Sequence, residues 1–470
     1  MHVIKQLSGE IGCKLIAKCR FVANCQELYC LGLDMEDEID IEDNEEVRRI
    51  RKISSLKREN RRLRNSVSFQ LGLHLTRAVR NPWRLLILPV SFPLLCLKIG
   101  LRRLGRITHS TDGLDLDYEV QPRKNAMVLF PTNGVGFGHF TRMYAIAREM
   151  RKKDPSMEII FFTTMPTLHI PYVDNFATYH LSGRHKHKDM DSSTWNMLVE
   201  EMLTLVFETH NPKYFLFDGA YPYRGMLNSI YGHDQITKIW IRRGMFRKGS
   251  SIPVDSIEYF DLIVHPSDAV EVKDSDLEHS VSTLRVPPIT LLNHDELLTR
   301  EESRGRLNLP EGARVTYVQL GAGQINDINS EIRMTIDALL SYPDMYIVLG
   351  ESMLGERLNF HHERVYLLRD YPNSLYYNGF DFSVQAGGYN SFHEMRNLGL
   401  PTLFYPNMNT GMDDQLARCK VAEDEQWGLV LLKRSEKSIW SSISKLLTIQ
   451  RSKKSIIQTG SSVLASHLRK

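Results

Sequence analysis

The chain has 470 residues, of which 42% are hydrophobic and 24% charged, a balance typical of a globular protein with a sizeable core. Its length suits two or three domains, and its formal net charge of +3 gives no whole-protein field that favours nucleic acid as a partner. The six cysteines lack the spacing of zinc ligands, which favours reduced thiols in a cytosolic protein over a metal or disulfide cluster. Charged residues interrupt the first apolar positions, so we expect no signal peptide.

Residues 1–124 are predicted to form a helical extension with an uneven charge. The chain is strongly acidic from Asp34 to Glu46 and strongly basic from Arg48 to Arg64. Between Val47 and Leu71 apolar residues step by three and four, which predicts an amphipathic helix or a short coiled-coil seam. The pattern lasts only about three heptads, so a solvated helix and a homodimer through residues 47–71 both remain open.

An apolar run from Leu85 to Leu97 follows Trp83 and is flanked by cations at both ends. The run is shorter than the about 20 apolar residues that a spanning helix needs, and it contains two prolines. No acidic residue occurs between residues 65 and 111. We therefore expect residues 83–106 to enter an anionic membrane surface by shallow or re-entrant insertion. The alternative is a buried core helix with basic ends.

Residues 125–288 alternate predicted strands with helices over residues 141–152 and 192–209. This alternation predicts a Rossmann-like domain, a parallel sheet covered on both faces. The predicted strands are Met127–Phe130, Glu158–Thr163, Tyr214–Phe217, Lys238–Ile241 and Asp261–Val264.

Val286-Pro287-Pro288 is predicted to link this domain to a second Rossmann-like domain, residues 289–470, which includes terminal helices. The fold class is therefore α/β, with two such domains behind an N-terminal helical extension. The strands predicted in the second domain are Val315–Leu320, Met345–Leu349, Val365–Leu368, Phe382–Gln385, Thr402–Phe404 and Leu429–Leu432.

The strand that ends near Gln385 opens into a glycine-rich turn, Gly387-Gly388-Tyr389-Asn390-Ser391, followed by a helix that carries Glu394. Two glycines let a ligand approach the backbone closely, and the start of a helix offers N–H groups and a positive dipole to a phosphate. Glu394, one turn into the helix, is suited to bind both hydroxyls of a ribose. A later loop ends on Asp414-Gln415, a carboxylate beside a carboxamide that suits sugar hydroxyls.

The joint spacing of these residues resembles the donor-binding segment of GT-B glycosyltransferases, of both the MurG type and the plant secondary-metabolite type. The resemblance implies two domains that face each other across a cleft. It also implies that Asn390 and Ser391 hold the donor diphosphate, that Glu394 holds the ribose, and that Asp414 with Gln415 holds the donor sugar. Plant-type enzymes place a histidine four residues before the asparagine of this motif.

Ala386 occupies that position here, so the pocket is closer to the MurG type. A second glycine turn, with Gly321 and Gly323, resembles the MurG-type loop that faces the diphosphate, and a structural turn remains the alternative. The segment Leu367–Tyr371 occupies the place where the family holds the nucleobase, largely by backbone.

In the first domain, the run from Thr132 to Arg142 joins the first strand to the first helix and contains a Gly-His pair that ends on His139. A neutral imidazole at a helix start is suited to general base catalysis near pH 7. Asp218 ends the predicted strand Tyr214–Phe217, a position that can carry the acid that orients such a histidine. In several resembling families this histidine deprotonates the acceptor hydroxyl. The alternatives are a helix-capping role for His139 and a turn-forming role for Asp218 before Gly219.

Two arginines are candidate ligands for a phosphate on the acceptor. Arg142 lies three residues after His139, on the same helix face, and Arg242 follows the end of a strand. Strand ends border the ligand crevice in α/β sheets, which favours Arg242 over the lysines of the basic loop that follows Gly183.

These features predict a glycosyltransferase that moves a sugar from a nucleotide-diphosphate sugar, expected to be a UDP-sugar, to a membrane-associated or envelope glycan or lipid acceptor. The nucleotide sugar is a co-substrate, and we expect no metal, no other cofactor and no nucleic-acid partner. We expect the protein in the cytoplasm, peripherally bound to the inner face of the cell membrane. The alternatives are a nucleotide-sugar hydrolase of the same fold, in which a turn similar to Gly136–Arg142 also occurs, and a non-catalytic membrane scaffold.

Overall fold

The computed structural model describes residues 67–103, 124–132, 136–187, 190–231, 233–243, 254–270, 281–321, 328–351, 360–409, 413–452 and 458–469. The chain divides into two compact units, residues 1–104 and 105–470. Most of the seam predicted at residues 47–71, the acidic segment before it, four of the cysteines and Gly323 lie outside the described residues.

The first unit contains a helical hairpin of α1 (Val67–Arg80) and α2 (Pro82–Arg103). The two helices pack on each other, and His74 Nε2 lies 3.0 Å from Ser91 Oγ. Helix α2 continues through both of its prolines, so it is longer than the apolar run that the sequence predicts. A proline removes one bond of the helix ladder and need not end a helix that a neighbour supports.

Within α2, the 19 residues Trp83–Leu101 are long and apolar enough to cross a bilayer, and none of that stretch is buried in the described structure. Large apolar side chains along it face solvent, for example Trp83, Leu86 and Val90. Within the described residues, α2 is therefore not a buried core helix, which was the alternative to membrane insertion.

The second unit opens with seven parallel strands in the order β3-β2-β1-β4-β5-β6-β7. The strands are β1 Lys124–Pro131, β2 Glu158–Thr163, β3 Ala177–His180, β4 Pro212–Asp218, β5 Thr237–Ile241, β6 Leu262–Pro266 and β7 Ser282–Val286. The helices between them are α3 Gly138–Lys153, α4 His169–Val173, α5 Ser192–His210 and α6 Arg224–Tyr231.

The central strands can be predicted from the sequence because each carries a run of apolar residues that is buried in the fold. Met127 to Phe130 of β1 are fully buried, because helices cover both faces of the sheet. The two edge strands, β3 and β7, were not predicted from the sequence. Their residues are largely polar and half-exposed, so they carry no apolar run.

A second sheet has six parallel strands in the order β10-β9-β8-β11-β12-β13. The strands are β8 Arg314–Gln319, β9 Met345–Gly350, β10 Val365–Leu368, β11 Phe382–Ala386, β12 Thr402–Tyr405 and β13 Gly428–Val430. The helices of this half are α7 Arg300–Arg306, α8 Ile328–Leu340, α9 Tyr389–Leu398, α10 Gln415–Asp424 and α11 Glu436–Leu446.

The last helix, α12 (Gly460–Leu468), packs with the first sheet, although the sequence analysis assigned residues 289–470 to the second domain. Leu464 and Ala465 are fully buried in the core of the first half, and Tyr214 Oη donates to the Leu468 carbonyl at 2.6 Å. The chain therefore returns to the first half at its end.

The predicted α/β fold with two Rossmann-like halves is confirmed by the two parallel sheets. In the first sheet β1 lies between β2 and β4, and in the second sheet β8 lies between β9 and β11. At such points the connections leave the sheet in opposite directions and open a crevice at the carboxyl ends of the strands. Each half thus has one such crevice.

Candidate active site

The crevice of the first half brings His139 and Asp218 together. His139 is the second residue of α3, which follows β1, and Asp218 is the last residue of the adjacent strand β4. His139 Nδ1 lies 2.7 Å from Asp218 Oδ1. The Asp218 side chain is buried, whereas the His139 side chain is 21% exposed and can meet a ligand.

Arg142, predicted to meet an acceptor phosphate, lies behind His139 and binds Asp218. Its Nε donates to Asp218 Oδ2 and its Nη2 to Asp218 Oδ1, both at 2.8 Å. The Arg142 side chain is only 2% exposed. The structure therefore commits this guanidinium to Asp218 and not to a ligand in the crevice.

Burial and the charges around it leave His139 neutral. Burial opposes the ionisation of Asp218, but the charge of Arg142 and the hydrogen bonds that Arg142 and His139 donate outweigh it and hold the pKa of that carboxyl below its usual range. Burial lowers the pKa of His139, and the charges of Arg142 and Arg243 lower it further. Asp218 raises this pKa but does not outweigh the burial. Because ionised Asp218 only accepts, Nδ1 of His139 carries the hydrogen, and Nε2 is the nitrogen able to take a proton.

The two glycine turns of the second half meet at its crevice. Gly321 follows β8 with a φ of +99°, a conformation that favours glycine, and a Cβ there would lie 4.0 Å from Ala386 Cβ. A Cβ on Gly387 would lie 2.5 Å from Cys419 Sγ of α10. Gly387 is thus required by helix packing, while Gly388, next to α9, faces open space.

The start of α9 reaches across to the first half. Asn390 Nδ2 lies 3.4 Å from the Gly138 carbonyl, next to His139. Tyr389 Oη donates to the Ser267 carbonyl at 2.8 Å. Ser391 lies in the same first turn of α9. The predicted diphosphate residues therefore lie beside the loop that carries the candidate base.

Glu394 lines a pocket whose walls include Tyr377 and two residues that follow the linker, Thr290 and Leu292. Burial raises the pKa of the Glu394 carboxyl to about 8, although the Leu291 N–H opposes the shift. The carboxyl is therefore mostly protonated at neutral pH in the free protein. In Leu367–Tyr371, the segment predicted to hold the base, Tyr371 Oη is 3.2 Å from Thr141 Oγ1 of α3.

The predicted sugar-binding pair has local partners. Asp414 caps α10, its Oδ1 accepting from the Ala417 N–H at 3.0 Å, and Gln415 Oε1 accepts from the Asn407 N–H at 2.9 Å. The preceding residue, Asp413, is the carboxylate that faces the first half, where Arg243 Nη1 donates to its Oδ1 at 3.1 Å.

Arg243, and not the predicted Arg242, reaches across to the second half. The Arg242 guanidinium lies 5.6 Å from the Trp240 ring and is largely buried within the first half. Arg243 crosses to Asp413, and its guanidinium lies 5.2 Å from the Tyr389 ring.

Behind Asp413, the fully buried Arg418 joins the two halves. Its Nε and Nη2 donate to the two oxygens of Asp268 at 2.8 Å each, and its Nη1 donates to the Gly387 carbonyl at 2.9 Å. His393 Nε2 also lies 3.2 Å from Asp268 Oδ1. The side chains of Asp268, His393 and Arg418 were not predicted from the sequence as a cluster, because the segments that supply them are far apart in the chain.

Within the described ranges, no group of three or more histidine, cysteine, aspartate or glutamate residues has the arrangement of a metal site.

No family model and no curated protein matches the sequence. Solved structures that resemble it include a glycotransferase of kitacinnamycin, at 14% identity over 74% of this chain and 95% of that one, with a TM-score of 0.49. MurG of Acinetobacter baumannii is 11% identical over 70% and 91%, with a TM-score of 0.45. The UDP-GlcNAc 2-epimerase of Methanocaldococcus jannaschii is 11% identical over 73% and 99%, with a TM-score of 0.49.

Proposed function

We propose that this protein is a glycosyltransferase that transfers a sugar from a nucleotide-diphosphate donor to a hydroxyl of a glycan or lipid acceptor. The observation that carries the proposal is the ordered His139–Asp218 pair, 2.7 Å apart, next to the glycine turn of the second half. The contact of Asn390 with the Gly138 carbonyl supports the same arrangement, since it brings the predicted diphosphate residues beside the candidate base.

In the proposed reaction, Asp218 orients His139, and His139 Nε2 takes the proton of the acceptor hydroxyl. The acceptor oxygen forms a bond to C1 of the donor sugar. The bond between C1 and the diphosphate oxygen breaks, and its electron pair leaves with the nucleotide diphosphate. The protonated histidine later returns its proton to solvent.

The leaving diphosphate gains negative charge, which the site is equipped to stabilise. The first N–H groups of α9 and the Asn390 side chain lie at the glycine turn, and Arg243 is the most exposed of the arginines around Tyr389. In this proposal these residues stabilise the negative charge of the leaving diphosphate, and the reaction requires no metal ion.

A membrane-linked acceptor is the finer part of the proposal, and the exposed hairpin α1–α2 supports it. Helix α2 presents an unburied apolar surface, with cations at its ends, to whatever surrounds it. A lipid-linked or envelope acceptor at the cytoplasmic face of the membrane, with a UDP-sugar donor, suits such an anchor.

The test is a panel of nucleotide sugars mixed with the purified full chain, with and without membrane lipid extract. We expect nucleotide diphosphate to be released only when extract is present, and labelled sugar to enter the lipid fraction. Release at the same rate without an acceptor would instead indicate a hydrolase, with water in the place of the hydroxyl. Binding of no nucleotide at all would contradict both.

A further inference from the structure

We propose that Arg142 is a positioning residue for His139: by holding both oxygens of Asp218, it fixes the direction of the imidazole and offsets the negative charge that would draw a proton onto the ring. This inference rests on the proposed function of His139 as the base. It gives Arg142 a role different from the ligand contact that its place in the sequence predicts.

The geometry is a closed triangle of three polar atoms. Asp218 Oδ1 lies 2.7 Å from His139 Nδ1 and 2.8 Å from Arg142 Nη2, and the two nitrogens are 2.9 Å apart. Since Arg142 Nη2 carries hydrogens and Nδ1 must donate to Asp218, the contact between the two nitrogens is not itself a hydrogen bond. Both nitrogens donate to the same oxygen, which fixes the ring plane.

The second bond from Arg142 prevents rotation of the carboxylate. Arg142 Nε donates to Asp218 Oδ2 at 2.8 Å, so the guanidinium and the carboxylate form a planar, two-bond pair. A lysine supplies one point charge and cannot hold both oxygens in this way. The pair is also buried, so solvent screens its charges little.

The charged groups that face His139 are Asp218, Arg142 and Arg243. An isolated Asp218 beside the ring would favour the imidazolium form, which cannot act as a base. Burial of the ring is the largest cause that lowers its pKa, and Arg142, from 2.9 Å, and Arg243, from the side of the second half, lower it further against Asp218. The ring is thereby oriented by a carboxylate while remaining unprotonated and ready to accept a proton.

The test is a titration of His139 in Arg142→Met, Arg142→Lys and the wild-type chain. The titration is monitored by NMR of histidine-labelled full-length protein, and the signal of His139 is assigned by its loss in His139→Gln. We expect Arg142→Met to raise the pKa of His139 by about one unit or more, because the opposing charge is gone. The acidic limb of the pH profile of nucleotide release should move to higher pH by the same amount. Arg142→Lys should keep the titration close to that of the wild type, because it keeps the charge, yet lower kcat at least tenfold, because the ring loses its fixed direction.

Arg148→Met is the matched control, since Arg148 lies on the same helix and pairs with Glu296 at 2.8 Å. It should leave the His139 titration unchanged. An Arg142→Met titration equal to that of the wild type would overturn the inference, as would full activity in Arg142→Lys. If Arg142→Met does not fold, two other measurements test the inference. Arg142→Lys should have a lowered kcat, and added guanidinium ions should lower the pKa of His139 in Arg142→Ala. Absence of turnover in the wild type, with the titration difference intact, would reject the proposed function and leave the positioning role.

Discussion

Arg242 and Arg243 are neighbours in the chain, but only the second reaches the crevice. Consecutive residues of an extended chain point to opposite sides, so Arg242 packs over Trp240, two residues earlier, while Arg243 crosses to Asp413. The same effect of a one-residue step separates Asp413, which faces the crevice, from Asp414, which caps a helix. Residue types alone do not distinguish such neighbours.

We predict that Arg243 binds the donor diphosphate. Arg142 and Arg418 each bind a carboxylate through two bonds and are buried, whereas the Arg243 side chain is 21% exposed. When Arg243 leaves Asp413, Arg418 still pairs with that carboxylate. Arg243→Met should therefore weaken binding of UDP or dTDP by about 10- to 100-fold and leave binding of the free nucleoside unchanged, as measured by calorimetry.

The control for this variant is Arg314→Met, which removes an arginine paired with Asp344 at the amino edge of the second sheet. It should change neither affinity. Equal losses of diphosphate and nucleoside affinity in Arg243→Met would mean that Arg243 only clasps the two halves together.

The carboxyl of Glu394 gives a second prediction, in the pH dependence of nucleoside binding. A carboxylate is needed to accept from both ribose hydroxyls, but with its pKa at about 8 Glu394 is mostly protonated at neutral pH. Binding must then release a proton. The affinity for the nucleoside should rise by about tenfold per unit from pH 6 and level off above about pH 8.

Calorimetry in buffers of different ionisation heat counts the released protons. Glu394→Gln should bind more weakly and with no pH dependence over this range. A free nucleoside is the suitable probe, since it has no phosphate that titrates nearby. A wild-type affinity that is flat with pH would contradict the assigned role of Glu394.

At the scale of elements, the hairpin α1–α2 differs most from what its sequence predicts. The apolar run alone is too short to cross a bilayer, yet α2 is long enough. His74 of α1 contacts Ser91 near the middle of α2, and Arg77 of α1 is exposed. A spanning α2 would draw these polar groups into the hydrocarbon, so we predict that the hairpin lies in the plane of a membrane surface.

Cys96, exposed on α2, reports on this arrangement. Cys419 is buried and its pKa is raised to about 12 by that burial, so a thiol reagent should spare it. With the four N-terminal cysteines replaced by serine, a fluorophore on Cys96 should shift to the blue on vesicles of phosphatidylglycerol and phosphatidylcholine. It should be quenched by shallow labels, at about 5–10 Å depth, more than by central ones.

A matched control replaces Leu86 and Val90, on the exposed surface of α2, by serine, which should abolish the shift. Equal emission with and without vesicles in the parent protein would rule out membrane binding by this helix. Strong quenching at the bilayer centre would indicate a spanning α2 instead.

At the scale of the whole second unit, Asp268 of the first half holds Arg418 and His393 of the second in a buried cluster. Burial opposes ionisation, but Arg418 and His393 outweigh it and lower the pKa of Asp268 far below its usual range. The stability that this carboxylate contributes is therefore complete above about pH 4 and is lost on acidification below it.

We predict that Asp268→Asn destabilises the protein by about 1 to 3 kcal/mol, because it removes the carboxylate that accepts from the buried Arg418 and His393 while Asp413 still pairs with Arg418. Urea unfolding followed by circular dichroism gives the free energy of unfolding. The control, Asp344→Asn, removes a half-exposed partner of Arg314 and should cost about 0 to 1 kcal/mol. Equal, small effects of both substitutions would show that the cluster does not stabilise the contact between the halves.

The fold class, the central strands and the two glycine turns could be predicted from the sequence, because buried parallel strands carry apolar runs and turns need glycine. The sequence also predicted His139 at the start of the first helix and Asp218 at the end of a strand, and the structure pairs the two strands concerned, whose carboxyl ends meet at one edge. Three features became visible only in the folded chain: Arg142 binds Asp218, Arg243 reaches Asp413 across the crevice, and the last helix returns to the first half. Those assignments depend on contacts between distant segments and on side-chain direction, neither of which leaves a periodic signal in the chain.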